Sequence, residues 1–182
     1  MQHYYKNKRQ FFVLFLVLGF ISGILYENIF ARQYLWTTGI FSDYFLQQYK
    51  QTEIVAEEYV WYIAKLRVLP FVLICILGCA KWKRILVGIV VSWTGFSLGT
   101  LIVSAIMRLG IKGILLCIIG LFPHMIFYVF SYLILLWYLY KYPDAIWNMK
   151  KTITVGVAFA VGIILEGYVN TVLMKFLIMT LF

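Results

Sequence analysis

Apolar residues along this chain occur in long runs, not in the short alternating pattern of a soluble fold. Five of these runs are long enough to cross the roughly 30 Å hydrocarbon core of a bilayer as an α-helix. We place them at about residues 11–31, 61–80, 85–107, 113–140 and 152–174. The pattern predicts an all-α fold, a polytopic membrane helix bundle of about five transmembrane helices in a single membrane domain, residues 1–182.

The fourth run is too long for one straight crossing. Its 28 residues would form a helix of roughly 42 Å, so it must tilt, kink or break. Pro123 and His124 lie where a kink is expected. We favour one kinked crossing, because a run that dipped in and returned would move the basic segment 141–151 to the outside. A pair of half-helices stays open as the alternative.

The polar stretch of about residues 32–59, after the first run, is acidic and aromatic. Its four acidic residues against Arg32 and Lys50 leave a net charge of −4 + 2 = −2. Aromatic residues recur at three- to five-residue spacing, which is typical of a helix lying along the membrane interface. We therefore predict a helical segment that lies along the interface on the outer side of the membrane.

Composition excludes a soluble globule, since 64% of the residues are apolar and 13% are charged. The formal net charge of +9 does not indicate nucleic-acid binding, because the basic residues cluster between the apolar runs, where they orient a membrane protein and meet the lipid bilayer. We expect a multi-pass protein of the cell membrane with its N-terminus in the cytoplasm and its C-terminus outside. The basic residues assigned to the cytoplasm are Lys6, Lys8, Arg9, Lys81, Lys83, Arg84, Lys141, Lys150 and Lys151.

Catalytic chemistry has few candidates in this sequence. No pair of membrane aspartates, no metalloprotease ligand motif and no glycine-rich phosphate loop is present. The three cysteines lie in apolar runs without a partnering metal-ligand pattern. We predict that the protein is not an enzyme and holds no cofactor and no metal; a serine acting with His124 remains the open exception.

Small residues form stripes at helical spacing. Such stripes allow helix backbones to approach closely in lipid, either within the chain or in a homo-oligomer, and both remain open. We predict packing or interaction roles for Gly19 and Gly23 in the first run and for Gly88, Ser92, Gly95 and Gly99 in the third. Gly156 and Ala160 form a shorter stripe in the fifth run.

Polar residues inside the runs are costly and need a reason. His124 is expected near mid-membrane, either as a proton relay or partner contact, or as a neutral imidazole bonded to carbonyls freed by Pro123. Glu27 and Glu166 are expected near the outer ends of their spans. We predict that they join an ion-pair cluster there, which either locks helix ends together or forms a docking surface. The basic candidates for that cluster are Lys65, Arg67 and Arg108.

Several short motifs resemble the stage II sporulation protein M family of Gram-positive bacteria, and the similarity extends over nearly the whole chain. They are Gly19-Phe-Ile-Ser-Gly23, the polar outer segment, Gly110-Ile-Lys-Gly113, Leu121-Phe-Pro123, Glu166-Gly-Tyr168 and Thr171-Val-Leu173. The resemblance makes Gly113, Pro123 and Glu166 family positions with structural or interaction roles. His124 departs from the pattern, which has a polar, often amide, residue there.

The resemblance implies a non-catalytic membrane scaffold. Its expected partners are the peptidoglycan-degrading stage II sporulation proteins D and P, which it would localise during engulfment of the forespore. It also stays open that the protein is a relative of this family, from a non-sporulating organism, that binds unrelated partners. The rival hypothesis is a small transporter or channel subunit that uses the kinked fourth span, with Glu166 as a coupling group. No second broken helix or inverted repeat is evident in the sequence to support that rival.

Overall fold

The computed structural model describes residues 2–31, 41–52 and 55–181. All regular elements among these residues are helical, which confirms the all-α prediction. Within the described ranges, five helices are long and apolar enough to cross a membrane, so the protein has the composition of a multi-pass membrane protein. These candidate spans are Gln10–Phe30, Glu57–Leu77, Lys83–Leu109, His124–Lys141 and Met149–Leu181.

Two of the spans contain a π-helical turn. The helices are α1 (Gln2–Tyr26), α2 (Asp43–Gln51), α3 (Ala56–Leu77), α4 (Lys83–Leu109), α5 (Ile111–Leu121), α6 (His124–Lys141), α7 (Met149–Ile164) and α8 (Thr171–Leu181). Turn π1 (Glu27–Ala31) continues α1, and turn π2 (Leu165–Asn170) joins α7 to α8. The last predicted span is therefore longer than expected and irregular in the middle.

The chain divides into two compact units. Unit 1 comprises Met1–Gln48 and Ile85–Cys117, and unit 2 comprises Tyr49–Arg84 and Ile118–Phe182. Each unit combines segments that are distant in sequence, so neither corresponds to one half of the chain.

Unit 1 is organised by close contact between α1 and α4. A methyl group added at Gly19 or Gly23 would meet the backbone of Ser92 or Phe96, respectively. The contact is reciprocal, because a methyl group at Gly95 would meet backbone atoms of α1 at Leu16. Without side chains at these positions the two backbones approach directly, which is how small residues allow helices to associate in lipid.

A tight turn between α4 and α5 follows Leu109. Gly110 adopts a φ of +57°, a left-handed conformation that glycine adopts without the cost of a side chain. Gly113 then sits so close to the Ala105 carbonyl that a methyl group there would collide with it. Both glycines are needed for α5 to fold back against α4.

Unit 2 is organised by aromatic packing. The ring of Phe159 on α7 lies 4.7 Å from the ring of Phe71 and 5.2 Å from the ring of Tyr128, measured between centroids. Ser131 is fully buried, and its hydroxyl donates to the carbonyls of Phe127 and Val155, at 2.9 and 3.3 Å. Side chains of α3, α6 and α7 therefore fill the interior of this unit.

The fourth apolar run differs from the single kinked span that we predicted. It forms two separate helices, α5 and α6, with the break at Phe122–Pro123. At 1.5 Å per residue, α5 is only about 16 Å long and is too short to cross a bilayer, whereas α6 is about 27 Å long. Proline ends the helix here because it lacks a backbone donor.

Most of the described residues of the polar segment are helical. Helix α2 lies within it, and residues 32–40 and 53–54 fall outside the described residues. Burial and then the neighbouring Tyr59 raise the pKa of Tyr49 to about 12, so its phenol stays neutral. The end of this segment belongs instead to α3, which begins before the predicted residue 61 because Glu57 and Glu58 suit its first turn.

Candidate functional site

Each π-helical turn holds a buried glutamate near its start. Glu27 is the first residue of π1 and is 4% exposed, and Glu166 is the second residue of π2 and is 8% exposed. A π-helical turn interrupts the regular hydrogen-bond ladder of an α-helix and is frequently found at functional sites. The two carboxylates are therefore the strongest candidates for functional groups in this protein.

Glu166 is bound by two donors from other helices of unit 2. The Nε of Arg67 on α3 donates to Oε2 at 3.0 Å, and Nη2 of the same guanidinium donates to Oε1. The hydroxyl of Tyr128 on α6 also donates to Oε2, at 2.8 Å. This bidentate, charge-assisted arrangement is among the strongest hydrogen-bond geometries in proteins, and it ties α3 and α6 to π2.

His124 stands beside this ion pair without a hydrogen bond to it. His124 is buried, with 2% of the residue exposed, and its Nε2 lies 4.0 Å from Oε1 of Glu166. Its Nδ1 is buried and has no hydrogen-bond partner among the described residues. The expected bond to a carbonyl freed by Pro123 is thus not formed within the described part of the chain, and His124 begins a helix instead of lying inside one.

Asn170, the last residue of π2, links the same turn to the end of α5. Its side-chain amide donates to the carbonyl of Gly120 at 3.0 Å. Its Oδ1 is buried and has no hydrogen-bond partner among the described residues. The turn is therefore held by side-chain bonds at both of its ends.

The ion pair lies well inside the candidate spans that contain its two residues. Arg67 is the eleventh of the 21 residues in its candidate span, and Glu166 is the eighteenth of 33. Within an apolar span each charge is costly alone, so mutual neutralisation is the reason both can be present.

Glu27 has a neutral partner. The hydroxyl of Ser104 on α4 donates to its Oε1, and within the described residues the carboxylate has no ion pair. Glu27 is the eighteenth of 21 residues in its candidate span. Lys65, a third candidate for the predicted cluster, is exposed.

Sequence reasoning missed two of the partners, Tyr128 and Ser104. Tyr128 follows His124 by four residues and therefore shares its helix face, a spacing that could have pointed to it. Ser104 follows Gly99 by five residues and carries no such signal. Its position opposite Glu27 depends on the α1–α4 contact.

The glycine and serine stripes of the first and third runs lie at helix contacts inside unit 1. Gly88 would place a methyl group 3.2 Å from the ring of Phe15, and the hydroxyl of Ser92 donates to the Phe15 carbonyl at 3.2 Å. A methyl group at Gly99 would meet the Phe20 carbonyl. By contrast, Gly156 of the shorter stripe has nothing within 4 Å of such a methyl group.

Metal binding has no assembled site among the described residues, where no group of three or more His, Cys, Asp and Glu side chains is placed to hold an ion. Cys117 is buried in unit 1, with its sulfur 3.9 Å from the Leu101 carbonyl. Comparison of the chain with protein-family models, with curated proteins and with solved structures found no match.

Proposed function

We propose that this protein is a non-catalytic integral membrane scaffold that anchors or localises extracytoplasmic proteins. The resemblance noted in the sequence suggests stage II sporulation proteins D and P, the peptidoglycan-degrading enzymes of engulfment, as partners. The observation that carries the proposal is that the Glu166 carboxylate is fully engaged by residues of neighbouring helices. Arg67 and Tyr128 occupy its carboxylate with three hydrogen bonds, so the charge serves to connect helices.

The packing of unit 1 supports the same function. Helices that touch through backbone atoms at Gly19, Gly23 and Gly95 have no room to slide or rotate against each other without steric collision. A scaffold requires a fixed shape, whereas alternating access requires one group of helices to move against another. The α1–α4 contact therefore favours a static role.

Affinity capture tests this function. The tagged protein would be isolated from native membranes in mild detergent, and the co-isolated proteins identified by mass spectrometry. We expect cell-wall hydrolases to accompany it. Recovery of the protein alone, or with a nucleotide-binding subunit, would contradict the scaffold.

A paired substitution makes the capture experiment specific. Replacing Gly95 and Gly99 by leucine should separate α1 from α4 and reduce the amount of captured partner. Gly156→Leu is the matched control, because its added side chain enters open space. An unchanged complex size for the Gly95/Gly99 variant would refute the role of this contact.

A transporter or channel subunit is the second candidate, and one observation favours it. His124 presents a buried nitrogen without a partner beside a carboxylate, at the break between α5 and α6. In that function His124→Ala or Glu166→Gln should abolish ion or proton flux into proteoliposomes while partner assembly survives. In the scaffold, the wild-type protein should support no flux above that of empty vesicles.

A further inference from the structure

One end of unit 2 brings together two connecting segments that are far apart in sequence. The first segment follows α3 and the second follows α6. The Nζ of Lys83 lies 3.1 Å from the ring centroid of Tyr142, and the guanidinium carbon of Arg84 lies 5.9 Å from that of Tyr140. Cations of one segment therefore stand over aromatic rings of the other. We name residues 81–84 and 137–151 the basic end.

The basic end carries a large excess of positive charge. Its charged residues are Lys81, Lys83, Arg84, Lys141, Lys150, Lys151 and Asp144, a net charge of +6 − 1 = +5. Among the residues that the structure describes, Asp144 forms no ion pair. The first turns of α4 and α7, which both begin here, contain basic residues and no acidic ones. Within the described part of the chain, this surface therefore carries more positive than negative charge and complements an anion.

In the second segment of the basic end, the backbone near residues 146–151 is held in place by side chains. The Asn148 side chain accepts from the backbone nitrogen of Lys151 at 3.1 Å and caps α7. The Nζ of Lys151 donates to the Ile146 carbonyl at 2.6 Å, and the Trp147 indole donates to the Thr152 hydroxyl at 2.7 Å. A surface ordered before binding loses little entropy when a ligand arrives.

Large apolar side chains project from the same surface. Trp82 is 71% exposed, Ile146 is 79% exposed and Met149 is 75% exposed, and the lysines Lys81 and Lys150 beside them are also exposed. Apolar side chains next to cations match the chemistry of a membrane interface, where the former enter the acyl region and the latter reach the headgroups. A soluble polyanion would leave the apolar side chains in water.

We propose that the basic end is a binding site for the phosphate headgroups of anionic phospholipids. Lys81, Arg84 and Lys150 contact the phosphate, while Trp82 and Met149 contact the acyl chains. Basic surfaces between membrane helices are known to take such headgroups, at about 1 kcal/mol for each nearby Lys or Arg. This site is distinct from the Glu166 cluster and does not depend on the scaffold function.

The test measures lipid retention and thermal stability together. The full-length protein, purified in mild detergent, would receive either phosphatidylglycerol or phosphatidylcholine. Bound lipid would be counted by native mass spectrometry and the unfolding temperature recorded. We expect phosphatidylglycerol to be retained and to raise the unfolding temperature more than phosphatidylcholine does. Equal effects of the two lipids would overturn the proposal, as would an equal rise with inorganic phosphate alone.

A charge-matched pair of variants assigns the effect to this surface. The variant K81Q/R84Q/K150Q should retain phosphatidylglycerol roughly a hundredfold less well, from three lost cations. The control K50Q/K65Q/K112Q removes the same charge elsewhere and should retain it as the wild type does. Similar losses in both variants would overturn the proposal, because the attraction would then depend on net charge alone.

A gain-of-binding variant answers the objection that a weakened variant has merely lost its fold. Asp144→Asn removes the acidic residue of the basic end and should increase phosphatidylglycerol retention several-fold. It is exposed, so its replacement leaves the interior unchanged. Unchanged or reduced retention in this variant would contradict the site.

Discussion

Glu27 in unit 1 and Glu166 in unit 2 occupy the same kind of π-helical turn but have different partners. Glu27 receives a hydrogen bond from the neutral hydroxyl of Ser104, whereas Glu166 forms a bidentate ion pair with Arg67 and a further bond with Tyr128. A buried carboxylate in an apolar helix is therefore not a function by itself. The partners make the difference: a hydroxyl on another helix binds Glu27, whereas a cation on another helix neutralises Glu166.

The two units also differ in how their helices meet. In unit 1 the backbones of α1 and α4 touch at glycines, so this contact is sensitive to added volume. In unit 2 aromatic rings fill the space between the helices, and the Arg67–Glu166 ion pair connects them. The packing of unit 2 is therefore sensitive to the loss of either charge. The following experiments test that distinction, from the largest expected effect to the smallest.

Breaking the ion pair should have the largest effect. Arg67→Met leaves Glu166 buried without its cation, and we expect the free energy of unfolding in mild detergent to fall by about 3 kcal/mol. The double variant Arg67→Met/Glu166→Met removes both charges and should recover most of that loss. If the double variant lost as much as the two single variants combined, the pair would not be the source of the effect.

Adding one methyl group should destabilise the protein at Gly95 but not at Gly156. Gly95→Ala forces the α4 backbone away from Leu16 and should reduce the free energy of unfolding by about 2 kcal/mol. Gly156→Ala adds a methyl group in open space and should be neutral or stabilising by about 0.5 kcal/mol, since alanine favours helix over glycine. Chemical denaturation of both variants checks this, and equal effects would remove the volume argument.

Neutralising each glutamate compares the two turns directly. Glu166→Gln leaves the Arg67 guanidinium without a counter-charge and should cost about 2 kcal/mol. Glu27→Gln retains an oxygen that accepts from Ser104 and should cost about 1 kcal/mol or less. The measurement is thermal unfolding of both variants side by side. A larger loss of stability for Glu27→Gln than for Glu166→Gln would contradict this comparison.

His124 should have the smallest effect on stability. It forms no hydrogen bond with Glu166 at 4.0 Å, so His124→Asn should change the free energy of unfolding by about 1 kcal/mol or less. Tyr128→Phe removes the 2.8 Å bond to the same carboxylate and should cost more, about 1.5 kcal/mol. The reverse order in a denaturation series would give His124 a structural role that its geometry does not predict.

The positions of the helices could be predicted from the apolar runs alone, because a bilayer-length stretch without charges has few other stable structures. The turn at Gly110 and the break at Pro123 were also predictable, since both residues restrict the backbone locally. The sequence favoured one kinked crossing and left a pair of half-helices as the alternative, and the structure has two helices, α5 and α6. A proline marks where a run can divide, but packing decides whether it bends or ends.

The candidate site was predictable only in its parts. Glu166 and Arg67 are rare charged residues in apolar runs, and that rarity singled them out as members of one ion-pair cluster. Their mutual geometry and the role of Tyr128 were not available, because the partners are separated by 99 and 38 positions in the chain. Glu27 was assigned to the same cluster, and the structure instead places it in a different unit with Ser104.

The sequence alone determined the all-α fold class and the five membrane-length helices found among the described residues, since hydropathy and helix length depend on local composition. It also placed the glycines on helix faces, because their spacing follows the helical repeat. Only the tertiary structure decided which backbone each glycine meets, which carboxylate is paired with a cation and which with a hydroxyl, and which basic segments share one end of unit 2. These contacts join residues that are far apart along the chain, and helical periodicity contains no information about which distant helix a face will meet.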